Sequence, residues 1–73
     1  MNVLIIGGNG FIGSHLVDSL KNKHNVTVYD KSKNLFIEES NNVEYIYGDF
    51  DDTKLLEKTI EKKHLVFHLL STT

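Results

Sequence analysis

The sequence predicts an α/β fold, the N-terminal portion of a doubly wound parallel sheet with four strands in the order 3-2-1-4. Three observations predict it. Segments of strand character alternate with segments of helical character along the whole chain. The first and last strand-like segments, "NVLII" and "LVFHLL", are nearly continuous apolar runs, as in parallel strands covered on both faces. Gly7, Gly10 and Gly13, three of only five glycines, stand where the first strand gives way to the first helix.

Each element follows from its residues. Asn2 to Ile6 reads as the first strand, and a helix is expected from about Phe11 to Asn22. There Phe11, Ile12, Leu16, Val17 and Leu20 fall near one helical face, while His15, Asp18, Lys21 and Asn22 fall elsewhere. "NVTVYD", Asn25 to Asp30, is the second strand. Lys31 to Asn42 is long enough for a crossover but commits to no more than a loop with a short helix. Val43 to Tyr47 alternates as a more exposed third strand would. In "DDTKLLEKTIEKK", Asp51 or Asp52 can cap a helix that buries Leu55, Leu56, Thr59 and Ile60, with Lys58, Lys62 and Lys63 toward its negative C-terminal end. Leu65 to Leu70 closes the set as the fourth strand. No repeat, low-complexity tract or linker interrupts the 73 residues, which read as a single partial domain spanning 1–73.

Composition narrows the partners. A chain this short buries only about 60% of the surface its unfolded form exposes. Eight basic side chains stand against ten acidic ones, which points to neither nucleic acid nor an anionic membrane surface. All eight are lysines, so no arginine fork is available and a bound phosphate must rely on backbone donors or lysine charges. There is no cysteine, hence no disulfide, thiolate metal site or thiol nucleophile. No metal cluster is predicted. The apolar run after Met1 is too short for a signal peptide or a membrane span, so a cytoplasmic location is expected.

The glycines carry the chemistry. In a dinucleotide-binding turn the first glycine allows the bend, the next admits a pyrophosphate and the last lets the helix pack against the strand; Gly7, Gly10 and Gly13 occupy those places. N–H groups around Phe11 and Ile12, in the first helical turn, would then face the ligand, with the helix dipole favouring its charge. A Walker-type loop is excluded, because "FIGSHL" contains no Gly-Lys-Ser/Thr. Asp30 ends the second strand where a carboxylate would accept the adenosine ribose hydroxyls, and its charge predicts NAD over NADP.

With GxxGxxG, the closing Asp30, "GDFDD" at Gly48 to Asp52 and "VFHLLSTT" at Val66 to Thr73, the chain resembles the extended short-chain dehydrogenase/reductase family. More narrowly it resembles the N-terminal, Rossmann-type part of the nucleotide-sugar epimerases and dehydratases, the UDP-glucose 4-epimerase-like branch. The resemblance implies that Asp49 hydrogen-bonds the adenine amino group, that Phe50 lays backbone beside it, and that the strand end at Leu69 and Leu70 runs along the cofactor. Leu70 stands where the family carries a small alanine, which narrows that space. His68 is expected to be a core strand histidine, and Ser71, Thr72 and Thr73 would lie toward the nicotinamide.

The family's acid/base pair is a Tyr-x-x-x-Lys. "YDKSK", Tyr29 to Lys33, matches the pattern but not the chemistry, which needs both side chains on one helical face. Tyr29 belongs instead to a strand at the adenosine side. The resemblance therefore places the catalytic pair and the sugar-nucleotide pocket beyond residue 73, so no catalytic residue is expected in this chain. Two other readings stay open. The chain could be a non-catalytic module that binds a nucleotide or pairs with another chain, itself included, through its open fourth strand, or a small αβ unit without ligand affinity.

Overall fold

A computed structural model describes residues 1–31 and 41–69. Most of the expected crossover between Lys31 and Asn42, and the chain from Leu70 onward, lie outside the described residues.

β1 (Asn2–Ile6) forms the centre of the sheet because Val3, Leu4, Ile5 and Ile6 offer apolar side chains to both faces, and all four are buried. β2 (Asn25–Asp30) and β4 (Leu65–His68) pair with it in parallel on either side, and β3 (Val43–Tyr47) pairs in parallel with β2. The order is β3-β2-β1-β4, as the sequence predicts. In register, Ile6 lies opposite Tyr29 and His68, and Asp30 lies opposite Tyr47. Strand ends therefore converge at one edge of the sheet.

The alternation of side chains along β1 divides the core into two layers. On one face Val3 and Ile5 join Val26, Val28, Val43 and Val17, with Leu16 and Leu20 of α1 (Phe11–Leu20) packed against them. On the other, Leu4, Ile6 and Tyr29 meet Ile46, Phe50, and Leu55 and Leu56 of α2 (Thr53–Ile60). The helices thus cover opposite faces.

Three expectations need correction. Phe11 and Ile12 do not join the buried stripe of α1; each is 72% exposed. The first turn instead approaches the sheet through Gly13 and Ser14, both buried, and this turns the two larger side chains outward. Ile60 is likewise exposed at the end of α2, while Thr59 is buried and returns its hydroxyl to the Leu55 carbonyl at 2.7 Å. His68 is not a core histidine. β4 has a described neighbour only in β1, so Leu65, Val66 and His68 are exposed and only Phe67 is half-buried.

The expected cap of α2 forms: the Leu55 N–H donates to Asp52 Oδ1 at 3.1 Å. Asp52→Ala is expected to destabilise the fold by about 1 kcal/mol, the usual contribution of such a cap. Urea unfolding tests this, and an unchanged midpoint would contradict it. Lys58 lies in the last turn; Lys62, in the left-handed region at φ 64°, and Lys63 follow the helix rather than ending it. Among the described residues no helix is long and apolar enough to cross a membrane.

Candidate functional site

The site begins where β1 runs out. Gly7 extends the ladder with an N–H bond to the Tyr29 carbonyl at 2.8 Å, then bends at φ 83°, a left-handed conformation that glycine alone adopts without strain. The Gly10 N–H returns to the Gly7 carbonyl at 3.3 Å, and Gly10 opens α1 in an extended conformation with no side-chain cap. Ser14 makes the first helical bond, its N–H donating to the Gly10 carbonyl at 2.9 Å and its hydroxyl to the same oxygen at 2.7 Å. The N–H groups of Phe11, Ile12 and Gly13 precede that bond and have no helical partner.

Gly10 and Gly13 have different work. A Cβ on Gly13 would sit 2.7 Å from both the Gly7 oxygen and the Gly8 Cα, so the helix lies against the turn backbone to backbone. A Cβ on Gly10 would meet only the Gly7 oxygen at 3.6 Å and otherwise point into open space. That space is a pocket of about 280 Å³ lined by Gly7, Gly10, Phe11, Ile12, Gly13 and Leu69. Leu69 is held there by its N–H bond to the Ile6 carbonyl at 2.9 Å. Six of the ten residues expected at the site therefore line one pocket. Leu70 lies outside the described residues.

Asp30 stands at the neighbouring strand end, 8% exposed. Its carboxylate accepts the Asn9 N–H at 3.0 Å and the Lys31 N–H at 2.7 Å, which ties the glycine turn to β2. A carboxylate offers about four acceptor positions, so its two oxygens can serve several partners at once. Asp49 and Phe50 follow β3. The exposed Asp49 carboxylate accepts the Asp51 N–H at 2.9 Å, while the half-buried Phe50 ring lies 6.2 Å from that of Tyr29.

Tyr29 itself is fully buried and donates its hydroxyl to the Asp49 carbonyl at 2.7 Å. Burial, with the Asp52 and Asp49 carboxylates adding to it, raises the phenol above its ordinary range. Such a group is a poor proton shuttle, and it lies within β2, as the rejection of "YDKSK" requires. Sequence reasoning overlooked two supports of the site. Asn9 links the turn to Asp30 through a backbone N–H, which no side-chain pattern signals. Gly48 is required because a Cβ there would come 2.5 Å from the Tyr29 hydroxyl and 2.6 Å from Leu55; its place among so few glycines was the available signal.

The start of α1 combines first-turn N–H groups without helical partners, the positive end of the helix, no acidic side chain in its first turn and the space left by the absent Cβ of Gly10, features that suit an anionic group. The fold and this turn define a Rossmann-type α/β unit. The chain belongs to the NAD dependent epimerase/dehydratase family, whose sequence model matches residues 3–73. It is 39% identical over 71 residues to a UDP-N-acetyl-alpha-D-glucosaminuronate decarboxylase of Bacillus cytotoxicus, covering 90% of this chain and 22% of that one. Among solved structures, it resembles the UDP-N-acetylglucosamine 4-epimerase of Methanobrevibacter ruminantium, in complex with UDP-N-acetylmuramic acid, at TM-score 0.82 and 39% identity over 99% of this chain and 24% of that one. It also resembles the UDP-glucuronic acid 4-epimerase of Bacillus cereus in complex with NAD, at TM-score 0.74 and 28% identity over 94% of this chain and 26% of that one. The chain thus spans about a quarter of these relatives or less.

Proposed function

We propose that the chain is the NAD-binding portion of a nucleotide-sugar epimerase or dehydratase. One observation carries the reading: Phe11, Ile12 and Gly13, whose first-turn N–H groups have no helical partner, line one pocket with the strand end at Leu69, beside a buried carboxylate tied to the same turn. In this reading the N–H groups and Gly10 receive the pyrophosphate, Asp30 receives the adenosine ribose, and Asp49 with Phe50 receives adenine. Leu69 runs along the cofactor toward its nicotinamide. Bound NAD would supply a hydride acceptor for a sugar carbon of a nucleotide-sugar and return that hydride later in the cycle.

The chain's own residues bind and orient; the acid/base step is assigned elsewhere in the protein. Tyr29 heads its Tyr-x-x-x-Lys pattern, yet that phenol is buried and engaged with the Asp49 carbonyl, out of reach of a substrate. Calorimetric titration with NAD tests the reading: saturable binding supports it, and no heat at millimolar NAD would sink it.

Cofactor choice follows from Asp30. A 2′-phosphate on the ribose would meet this buried carboxylate, so NAD is expected to bind at least about tenfold more tightly than NADP, roughly 1.4 kcal/mol. Asp30→Ser should shrink that ratio. Equal affinities of the unaltered chain for the two cofactors would contradict the assignment.

A second reading rests on β4. Its edge carries Leu65 and Val66 at 43% and 38% exposure, with no lysine or proline within the strand to guard it, the form of a strand that pairs with another chain. Light scattering decides: a defined dimer without NAD affinity favours a strand-pairing module over the cofactor site.

A further inference from the structure

Two consecutive residues at the end of β2 hold both loops of the proposed cofactor site. The Tyr29 carbonyl accepts the Gly7 N–H at 2.8 Å, and the Asp30 carboxylate accepts the Asn9 N–H at 3.0 Å; these bonds fix the glycine turn. The Asp30 carbonyl accepts the Gly48 N–H at 3.0 Å, and the Tyr29 hydroxyl donates to the Asp49 carbonyl at 2.7 Å; these fix the loop after β3. Of the four, the phenol bond is made by a side chain that touches nothing expected of the ligand. Its ring is anchored by Leu4 and Ile6 in the fully buried core, and its hydroxyl passes under Gly48 only because that residue has no Cβ. A rigid aromatic lever thus runs from the core to the backbone of Asp49. We infer that Tyr29 is a positioning residue, setting the Asp49–Phe50 loop so that the Asp49 carboxylate meets the amino group of adenine.

This rests on the NAD reading and adds a specificity that the reading alone does not require. Losing one neutral hydrogen bond is worth about 0.5–1.5 kcal/mol, a factor of roughly two to ten in affinity. If the bond orients the loop, that loss falls on ligands carrying the adenine amino group. A structural bond would weaken all ligands in parallel.

The test compares NAD with its hypoxanthine analogue, in which oxygen replaces the amino group, on the unaltered chain and on Tyr29→Phe. The variant keeps the buried ring and removes only the hydroxyl. NAD affinity is expected to fall several-fold and affinity for the analogue to stay within twofold, so that the ratio between them collapses. Asp49→Ala should lose the same ratio, and the double variant should lose no more. Equal weakening of both ligands, or an unchanged ratio, would overturn the positioning role while leaving NAD binding intact. Absence of NAD binding by the unaltered chain would overturn the functional reading itself, and this inference with it. Should Tyr29→Phe fail to fold, the hydroxyl proton of Tyr29 in the unaltered chain gives an independent nuclear magnetic resonance probe. It must shift more with NAD than with the analogue, and equal shifts would refute the proposal.

Discussion

Gly13→Ala is expected to lower the melting temperature by about 10 °C or more, against the usual sign of that substitution. In an ordinary helix interior alanine is better than glycine by about 1 kcal/mol. Here the added Cβ would lie 2.7 Å from the Gly7 oxygen, 2.7 Å from the Gly8 Cα and 2.8 Å from the Gly8 carbonyl carbon. All three are backbone atoms of a turn that is itself held to β2, so none can rotate away as the end of a flexible side chain could. Gly8 itself is packed on the sheet, with so little room behind it that a Cβ added there would come 2.8 Å from Val28 Cγ1. Relief requires α1 to lift from the sheet and to loosen Val17 and Leu16 from the core. Overpacking of this kind costs about 1–3 kcal/mol or more, and a domain of this size loses about 4–8 °C per kcal/mol. Thermal unfolding followed by circular dichroism measures it; a melting temperature that stays level or rises would show that the helix does not rest on the turn.

Most of the architecture was legible in the sequence because its two strongest signals are local. A continuous apolar run such as "NVLII" has no face to expose, and this places β1 in the middle of a covered sheet. Glycine spacing marks the turn because Gly7 supplies a left-handed bend and Gly13 a backbone-to-backbone approach, two steric demands that sit close together in the chain. The errors arose where tertiary contact overrides pattern. Phe11 and Ile12 look like part of a buried stripe, yet close approach at Gly13 rotates them into the pocket rim, where apolar side chains flank the site instead of the core. His68 and Leu65 read as buried for the opposite reason. The run "LVFHLL" has the pattern of a covered strand, but a strand is covered only by neighbours, and β4 has β1 alone among the described residues. The hub at Tyr29 and Asp30 was half legible: the carboxylate announced itself by its position at the end of a strand, whereas the phenol's bond joins residues twenty positions apart and has no sequence signature.

Gly10→Val is expected to abolish NAD binding while leaving the chain folded, the converse of Gly13→Ala. Gly10 lies at φ −76° and ψ 177°, extended backbone that a β-branched residue adopts readily, and its Cβ position has no neighbour closer than 3.6 Å. Valine is a poor residue at a helix start, so a loss of about 1 kcal/mol in stability is expected and no more. Its two methyl groups, however, would occupy the mouth of the pocket in front of the Phe11 and Ile12 N–H groups. Hydrogen bonds from such groups to a charged phosphate contribute about 1.5–3 kcal/mol each. Blocking two of them weakens binding by on the order of a hundredfold or more. Titration calorimetry on a variant first shown to be folded by its thermal transition separates the two effects. A folded Gly10→Val chain that binds NAD as the unaltered chain does would remove the pyrophosphate from this turn. Loss of binding with the transition retained would tie ligand recognition to the space above Gly10, and would leave Gly13 responsible for the packing that keeps that space open.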